Sequence, residues 1–439
     1  MRTACFLITA ALAVAQPVPV QPAQPLAHKA LDLLLGEKYT DFIALLSPAA
    51  KERLTSDFLR SQVGPEIRGF GKAADIGSPL SANDGTNTLV SFPVRFEKTT
   101  VNIQFTLNGT GQVAGRYFRP ANAPLPPLWK RPSYSNPDAF QEREMTVGSE
   151  PWKLGGTLAV PIGKGRFPAL VLVHGPGPDD RDETIYANHI FRDLAEGLAS
   201  RGIAVLRYDK RTKVYGDKMS EMDFTIQDET VDDAVKAVSL MRQQPEIDPA
   251  RVFVLGHSLG GYVSPRIAAK DGDLAGLIFL AANARPIEDV ALEQNEYVVK
   301  LGANPPPEVL RRLDDLRAEV ARVKQLEPGK ANPPVVMGLP SGYLLDLKGY
   351  DPVAAANRLA MPMLFLQGER DFQVNMKDFG IWKAELGSRK NAAFHSYPLL
   401  NHLFIGGEGK SSPVEYRTPG NVDGAVISDI AAFLTASKN

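Results

Sequence analysis

Three features of the sequence predict an α/β fold: a mostly parallel sheet with helices on both faces, interrupted by a helical cap and preceded by a small α+β domain. Short apolar runs at 168–174, 203–208, 252–257, 277–281, 362–366 and 392–397 alternate with helical periods, the pattern that parallel strands joined by crossover helices require. One run, Val252-Phe253-Val254-Leu255, passes directly into Gly256-His257-Ser258-Leu259-Gly260-Gly261. It reads as a strand, a sharp elbow and a helix, with small residues on either side of a serine in a strained backbone conformation. The alternation then breaks between about 284 and 360, where helical periods alone remain.

The first residues read as an export signal. Arg2 gives a positive start, Phe6 to Val14 an apolar stretch, and Ala13-Val14-Ala15 a small-residue cleavage site, so cleavage is expected after Ala15 and the protein is expected to be secreted or periplasmic. The Gln- and Pro-rich segment 16–26 cannot continue a helix. Cys5 is the one cysteine of the 439 residues, so the chain beyond the signal has no thiol for disulfides or covalent catalysis. A formal charge of −1 with no basic run argues against nucleic acid or an anionic membrane as partner. No run after the signal has the length of a membrane span.

Residues 27–118 read as the small α+β domain. Leu31, Leu34 and Leu35, then Phe42, Leu45 and Leu46, fall on helical faces, and Ser47-Pro48 opens a further helix. After Pro65 the period changes to two: Val90, Phe92, Val94 and Phe96, then Val101, Ile103 and Phe105, predict two strands paired through 98–100. Segment 119–139, with Pro124, Pro126 and Pro127, is a linker or strap that Trp129 and Tyr134 could pin to a surface.

The α/β domain is expected over 140–439. It starts with antiparallel strands at 142–147 and 152–160, then a strand ending in His174-Gly175-Pro176-Gly177, a helix over 188–200, a strand over 203–208, and a helix whose apolar face is Val231, Ala234, Val235, Val238 and Met241. Beyond the elbow come the strand at 277–281, the cap with one amphipathic helix over 305–326, the strand at 362–366, a helix near 376–385, the strand at 392–397 and a last helix at 426–434.

Serine alone is a poor nucleophile; it needs a base to take its proton and an acid to hold that base. The strand at 362–366 ends in Gln367-Gly368-Glu369-Arg370-Asp371, and the strand at 392–397 leads to Asn401-His402, so a carboxylate and an imidazole follow Ser258 on successive loops of one sheet edge. Asp371 and Glu369 compete for the acid. His402 is favoured as base because His395 lies inside a strand and His257 within the elbow. Asp179, Asp180 and Asp182 around Arg181 match no calcium loop and read as a salt-bridged loop in which Arg181 pairs with one of them or with Asp209.

Leu255 to Gly261, Gly368 to Asp371 and Asn401-His402 together resemble the α/β-hydrolase family. Ile247-Asp248-Pro249 and the stretch from His174 to Asp182 extend the resemblance to secreted bacterial esterases of the serine aminopeptidase-like and dienelactone hydrolase-like branches, some of which carry a small domain of unknown function before the hydrolase. The resemblance implies the α/β-hydrolase fold, favours Asp371 over Glu369, makes Tyr208-Asp209-Lys210-Arg211 structural, and puts an oxyanion hole beside Ser258. Leu259 would give one backbone donor. In relatives the residue after the His-Gly pair gives the other, but here it is Pro176, which has no N–H, leaving Gly177 or Gly175. His174 would brace this loop.

The expected function is a serine hydrolase cleaving carboxylic esters through Ser258, His402 and Asp371 and an acyl-enzyme, needing no cofactor and no metal. The substrate is a small-molecule ester. An aminopeptidase-like activity on peptides would instead need an acid in the cap for the substrate amine, drawn from Glu288, Asp289, Glu293 or Glu296. A non-catalytic scaffold would have no use for all three of serine, acid and base. The oligomeric state is left open.

Overall fold

The computed structural model describes residues 23–83, 87–121, 123, 128–302 and 304–436. The signal segment with its cleavage site, most of segment 16–26, and Pro124, Pro126 and Pro127 lie outside these. The chain divides after Leu128 into two compact units.

In the first unit, helices at Ala23–Leu35 and Tyr39–Ala44 and a succession of short turns up to Phe70 pack on a five-stranded antiparallel sheet. Ser47 Oγ accepts from Ala50 N at 3.3 Å, so Ser47-Pro48 does open a helix, with the serine as its cap. The hairpin Asn87–Phe96 with Thr100–Asn108 pairs Val94 with Val101 and Phe92 with Ile103. Alternate residues of its two strands bury Phe92, Val94, Ile103 and Phe105 against Leu31, Leu34 and Phe42. Three further strands, Ala73–Ile76, Leu80–Asn83 and Val113–Pro120, escape the period-two reading. The first two are largely exposed, and Gly115, Arg116 and Arg119 break the alternation of the third.

The second unit is built on eight strands: β1 Phe140–Val147, β2 Leu154–Pro161, β3 Phe167–Val173, β4 Ala204–Tyr208, β5 Ile247–His257, β6 Gly276–Leu280, β7 Met363–Gly368 and β8 Ala392–Tyr397. Their order is β1-β2-β4-β3-β5-β6-β7-β8. The first two strands are antiparallel to their neighbours, and β4, β3, β5, β6, β7 and β8 run parallel. Val173, Gly256, Phe279, Phe365 and Phe394 share one row of the register. The carboxyl ends of these strands are therefore level, and loops leaving them meet at one edge.

Helices α1 Ile190–Ala199, α2 Arg211–Ser220, α3 Asp232–Arg242 and α4 Leu259–Asp271 come before the cap. The cap holds α5 Ile287–Leu301, α6 Pro307–Gln325, α7 Ser341–Lys348 and α8 Pro352–Asn357, and α9 Met376–Leu386 and α10 Gly424–Ala436 follow it. One face of the sheet is covered by α1 and α10 through Phe191, Leu194, Leu198, Ile427 and Ile430. The other is covered by α3, α4 and α9 through Val238, Met241, Val263, Ile267, Phe379 and Trp382. α2 has no counterpart in the sequence reading, because Arg211-Thr212-Lys213 and Lys218 leave it no apolar stripe. Trp129 and Tyr134 do pin the chain: Trp129 Nε1 donates to Asp193 Oδ1 at 2.8 Å and Tyr134 Oη to Val422 O at 2.7 Å. Among the described residues no helix is long and apolar enough to cross a membrane.

Phe365 lies on β7, next to the edge strand β8, stacked on Phe279 at 4.2 Å and on Phe394 at 4.5 Å between ring centres, and is 1% exposed. Phe365→Ala should cost about 3–5 kcal/mol in urea unfolding followed by circular dichroism. A loss below about 1 kcal/mol would show that this stack does not hold the parallel strands together.

Candidate active site

Ser258 sits between β5 and α4 with φ 52° and ψ −119°, a conformation that costs a residue with a side chain about 1–3 kcal/mol. The surroundings leave it little choice. Its N–H donates to Leu280 O of β6 at 2.9 Å, while the helix behind it presses against the strands. A Cβ on Gly256 would collide with the carbonyl of Gly260, and one on Gly260 would collide with Val173 O and stand 2.6 Å from His174 O. The two glycines thus let helix and strand approach closely enough to force the turn. At the first position of α4, the Leu259 N–H is one of the helix donors that no residue of the same helix can accept.

Asp371 leaves β7 and His402 follows β8. A Cβ on Gly368 would stand 2.7 Å from Asn401 O, so the end of β7 lies directly against the loop of His402. Asp371 is 4% exposed and four donors converge on its carboxylate. Its Oδ1 accepts from the backbone of Gln373 at 2.8 Å and Val374 at 3.0 Å. Its Oδ2 accepts from Gln367 Nε2 at 3.1 Å and faces His402 Nδ1 at 2.6 Å. A carboxylate so placed can only accept, so the His402 proton belongs on Nδ1 and Nε2 keeps its lone pair.

The competing assignments lie elsewhere. Glu369 is exposed and accepts from Ser396 Oγ at 2.8 Å. His395 pairs with Asp429 at 3.1 Å, His189 stands 3.4 Å from Asp182, and His28 packs edge-on against Phe92 in the first unit. Arg181 pairs with Asp209 at 2.8 Å and with Glu144 at 2.7 Å. His174 Nε2 lies 3.0 Å from Asp180 O and braces the loop that follows β3.

That loop corrects one expectation. The Gly175 N–H donates to Glu183 Oε1 at 2.7 Å, so Gly175 is not a free oxyanion donor. Gly177, at φ 114°, adopts a conformation open only to glycine. The loop passes close to the serine: a Cβ on Gly175 would stand 3.4 Å from Ser258 Cβ.

Sequence reasoning missed the buried charges around these residues. Glu183, at φ 47°, has its second oxygen 3.0 Å from His257 Nδ1. His257 Nε2 donates to His402 O at 3.1 Å, and the two imidazoles lie 4.7 Å apart between centres. Lys210 Nζ donates to Gly175 O at 2.7 Å and stands 3.4 Å from Glu229. Burial alone would raise the Glu183 carboxyl, but the His257 charge and the hydrogen bonds to it outweigh burial and hold it below the usual range. Burial would lower His257, and Glu183 outweighs it and raises it. Asp179, by contrast, is pushed up to about 7 by burial and then by the Glu183 charge. Lys210 carried a signal that could have been read, since it follows β4 at the same carboxyl edge as Ser258, Asp371 and His402, where sites of open parallel sheets gather. Glu183 carried none.

This strand order, with a strained serine at the elbow after β5, defines an α/β hydrolase. Residues 186–408 match the serine aminopeptidase S33 family. Esterase EstD of Thermotoga maritima is 40% identical over 347 residues, 79% of each chain. The chain belongs to the serine aminopeptidase S33 family of α/β hydrolases. Among solved structures, Est1E from Butyrivibrio proteoclasticus is 17% identical, covering 67% of this chain and 98% of that one with a TM-score of 0.42. A Mycobacterium tuberculosis puromycin-hydrolysing peptidase is 17% identical, covering 81% of this chain and 46% of that one with a TM-score of 0.45.

The Glu183–His257 pair has a pH signature. A lowered glutamate stabilises the fold above its ordinary value of 4.5 and loses that contribution as pH falls through the folded value; a raised histidine stabilises it below 6.5 and loses that contribution as pH rises through the folded value. The stability lost in His257→Gln should therefore be largest between these two values, about 3–5 kcal/mol, and shrink on either side. Thermal melts of both proteins across pH 4 to 9 test this, and a difference independent of pH would contradict the ion pair.

Proposed function

We propose that this chain is a serine esterase in which Ser258, His402 and Asp371 act as a catalytic triad. The observation that carries this reading is the 2.6 Å contact between His402 Nδ1 and Asp371 Oδ2 at the sheet edge where the strained serine stands. Ser258 Oγ attacks the ester carbonyl while His402 Nε2 takes its proton. The Asp371 carboxylate stabilises the resulting imidazolium. The tetrahedral oxyanion is held by the Leu259 N–H and, with Gly175 engaged by Glu183, by the Gly177 N–H. His402 then passes its proton to the departing alcohol, and a water molecule, deprotonated by the same nitrogen, releases the acid and restores Ser258.

Ester rather than peptide specificity is supported by the relative named as an esterase and by the state of the cap acids. Asp289 pairs with Lys324 at 2.6 Å, Glu296 with Arg317 at 2.8 Å, and Glu293 with both Arg285 and Lys377. Three of the four carboxylates that could have received a substrate amine are thus already neutralised by cations. The export signal read from Arg2 to Ala15 supports a secreted or periplasmic location for this activity.

Ser258→Ala should lose on the order of 10⁶-fold in kcat on a short-chain nitrophenyl ester, and Asp371→Asn about 10⁴-fold, with both variants folded by circular dichroism. Retention of wild-type turnover by Ser258→Ala would overturn the mechanism. The wild type should also hydrolyse nitrophenyl esters and leave aminoacyl anilides intact. Turnover of the anilides alone would replace the esterase by an aminopeptidase.

A further inference from the structure

The loop from Gly175 to Asp179 is contacted at four of its backbone groups by residues with no part in the proposed triad. Gly175 N donates to Glu183 Oε1 and Gly175 O accepts from Lys210 Nζ, each at 2.7 Å. Gly177 O lies 3.4 Å from Thr212 Oγ1, which gives its one proton to Glu229 Oε1, and Asp179 O accepts from the Lys210 backbone at 3.0 Å. Glu183, Lys210 and Glu229 are 3%, 2% and 6% exposed. Burying charges at this depth is costly unless each is paired and hydrogen-bonded. Here each is paired: Lys210 with Glu229 at 3.4 Å, and Glu183 with His257 at 3.0 Å. Glu229 is fixed in turn by Thr212 Oγ1 at 2.8 Å and by Tyr343 Oη of α7 at 2.9 Å.

We propose that Lys210 and Glu183 are positioning residues that clamp Gly175 from its carbonyl and amide sides and so hold the Gly177 N–H as the second oxyanion donor. The clamp answers a defect of this particular sequence. Pro176 removes the N–H at the position where relatives carry a donor, so the next amide must be held in register, and glycine on both sides of Pro176 supplies no rigidity of its own. A fixed amide stabilises the transition state only if it stands within hydrogen-bond reach of the developing oxyanion, and a displacement of about 1 Å costs about 10²-fold. The proposal rests on the reading of Ser258 as the nucleophile.

The test compares Lys210→Met and Thr212→Val with wild type and Ser258→Ala. It measures kcat and KM for a nitrophenyl ester per titrated active site, and the affinity for a trifluoromethyl ketone that mimics the tetrahedral intermediate. Lys210→Met should lose about 10²-fold in kcat with KM nearly unchanged, and its affinity for the ketone should fall by the same factor as kcat/KM. Thr212→Val, which keeps every charge, should shift the same two quantities together by a few-fold, and it decides the matter if Lys210→Met does not fold. A residue that merely stabilised the fold would lower the number of titrated sites and leave kcat per site and ketone affinity intact. That result, with Ser258→Ala inactive, would overturn the clamp alone. Wild-type turnover by Ser258→Ala would overturn the triad and the clamp with it.

Discussion

The close approach of α4 to the ends of β3 and β5 is the constraint on which the rest of the site depends. No side chain fits at Gly256 or Gly260, because Cβ atoms there would occupy the space of the Gly260 and Val173 carbonyls. The absence of those two methyl groups lets the chain turn within a single residue, and that residue is a serine at φ 52°. The strain is local and modest, whereas the sheet that enforces it is large. The buried strands β6 and β7, with the Phe279–Phe365–Phe394 stack running from them onto the edge strand β8, supply far more burial energy than one distorted residue costs. The same sheet sets the levels of the loops. Once Val173, Gly256, Phe279 and Phe365 share a register row, residues a few positions beyond the strand ends share a neighbourhood.

Electrostatics then divides that neighbourhood in two. On one side the Asp371 carboxylate, held by two backbone amides and Gln367, fixes the tautomer of His402. On the other, Glu183 and His257 join the loop after β3 to the loop carrying His402, since His257 donates to the backbone carbonyl of His402. Asp371, His402, His257, Glu183, the loop after β3 and Lys210 are thus joined in one run of buried contacts. Rigid placement of donors and acceptors before substrate arrives is how such sites stabilise a developing charge without reorganising.

Much of this was legible in the sequence, for a physical reason. Ser258 and Asp371 lie just beyond β5 and β7, whose buried ends are continuous apolar runs that stand out against everything else, and His402 follows the half-exposed edge strand β8 by a short loop. Chain order then does the rest. What the sequence did not disclose is held by geometry without periodicity. Glu183 sits at a positive φ inside an irregular loop, and its role depends on a fold-back towards Gly175 that no spacing encodes. The family resemblance of Tyr208 to Arg211 makes Lys210 structural, although its ammonium donates to Gly175 O in the loop after β3. In the first unit, Ala73–Ile76 and Leu80–Asn83 were invisible because they are too exposed to alternate. The four cap acids look alike in the sequence, but Asp289, Glu296 and Glu293 are paired with Lys324, Arg317, Arg285 and Lys377, whereas Glu288 is buried.

The central claim is that Ser258 carries the acyl group between the two halves of the reaction. Mixing the protein with a slowly deacylated nitrophenyl ester, quenching with acid within the first turnovers and mapping peptides by mass spectrometry tests it directly. One acyl increment, on the peptide containing Ser258 and absent from Ser258→Ala, is the result predicted. An increment on another residue would contradict it, as would release of nitrophenol without a burst or any acylated peptide under conditions where deacylation is slower than acylation.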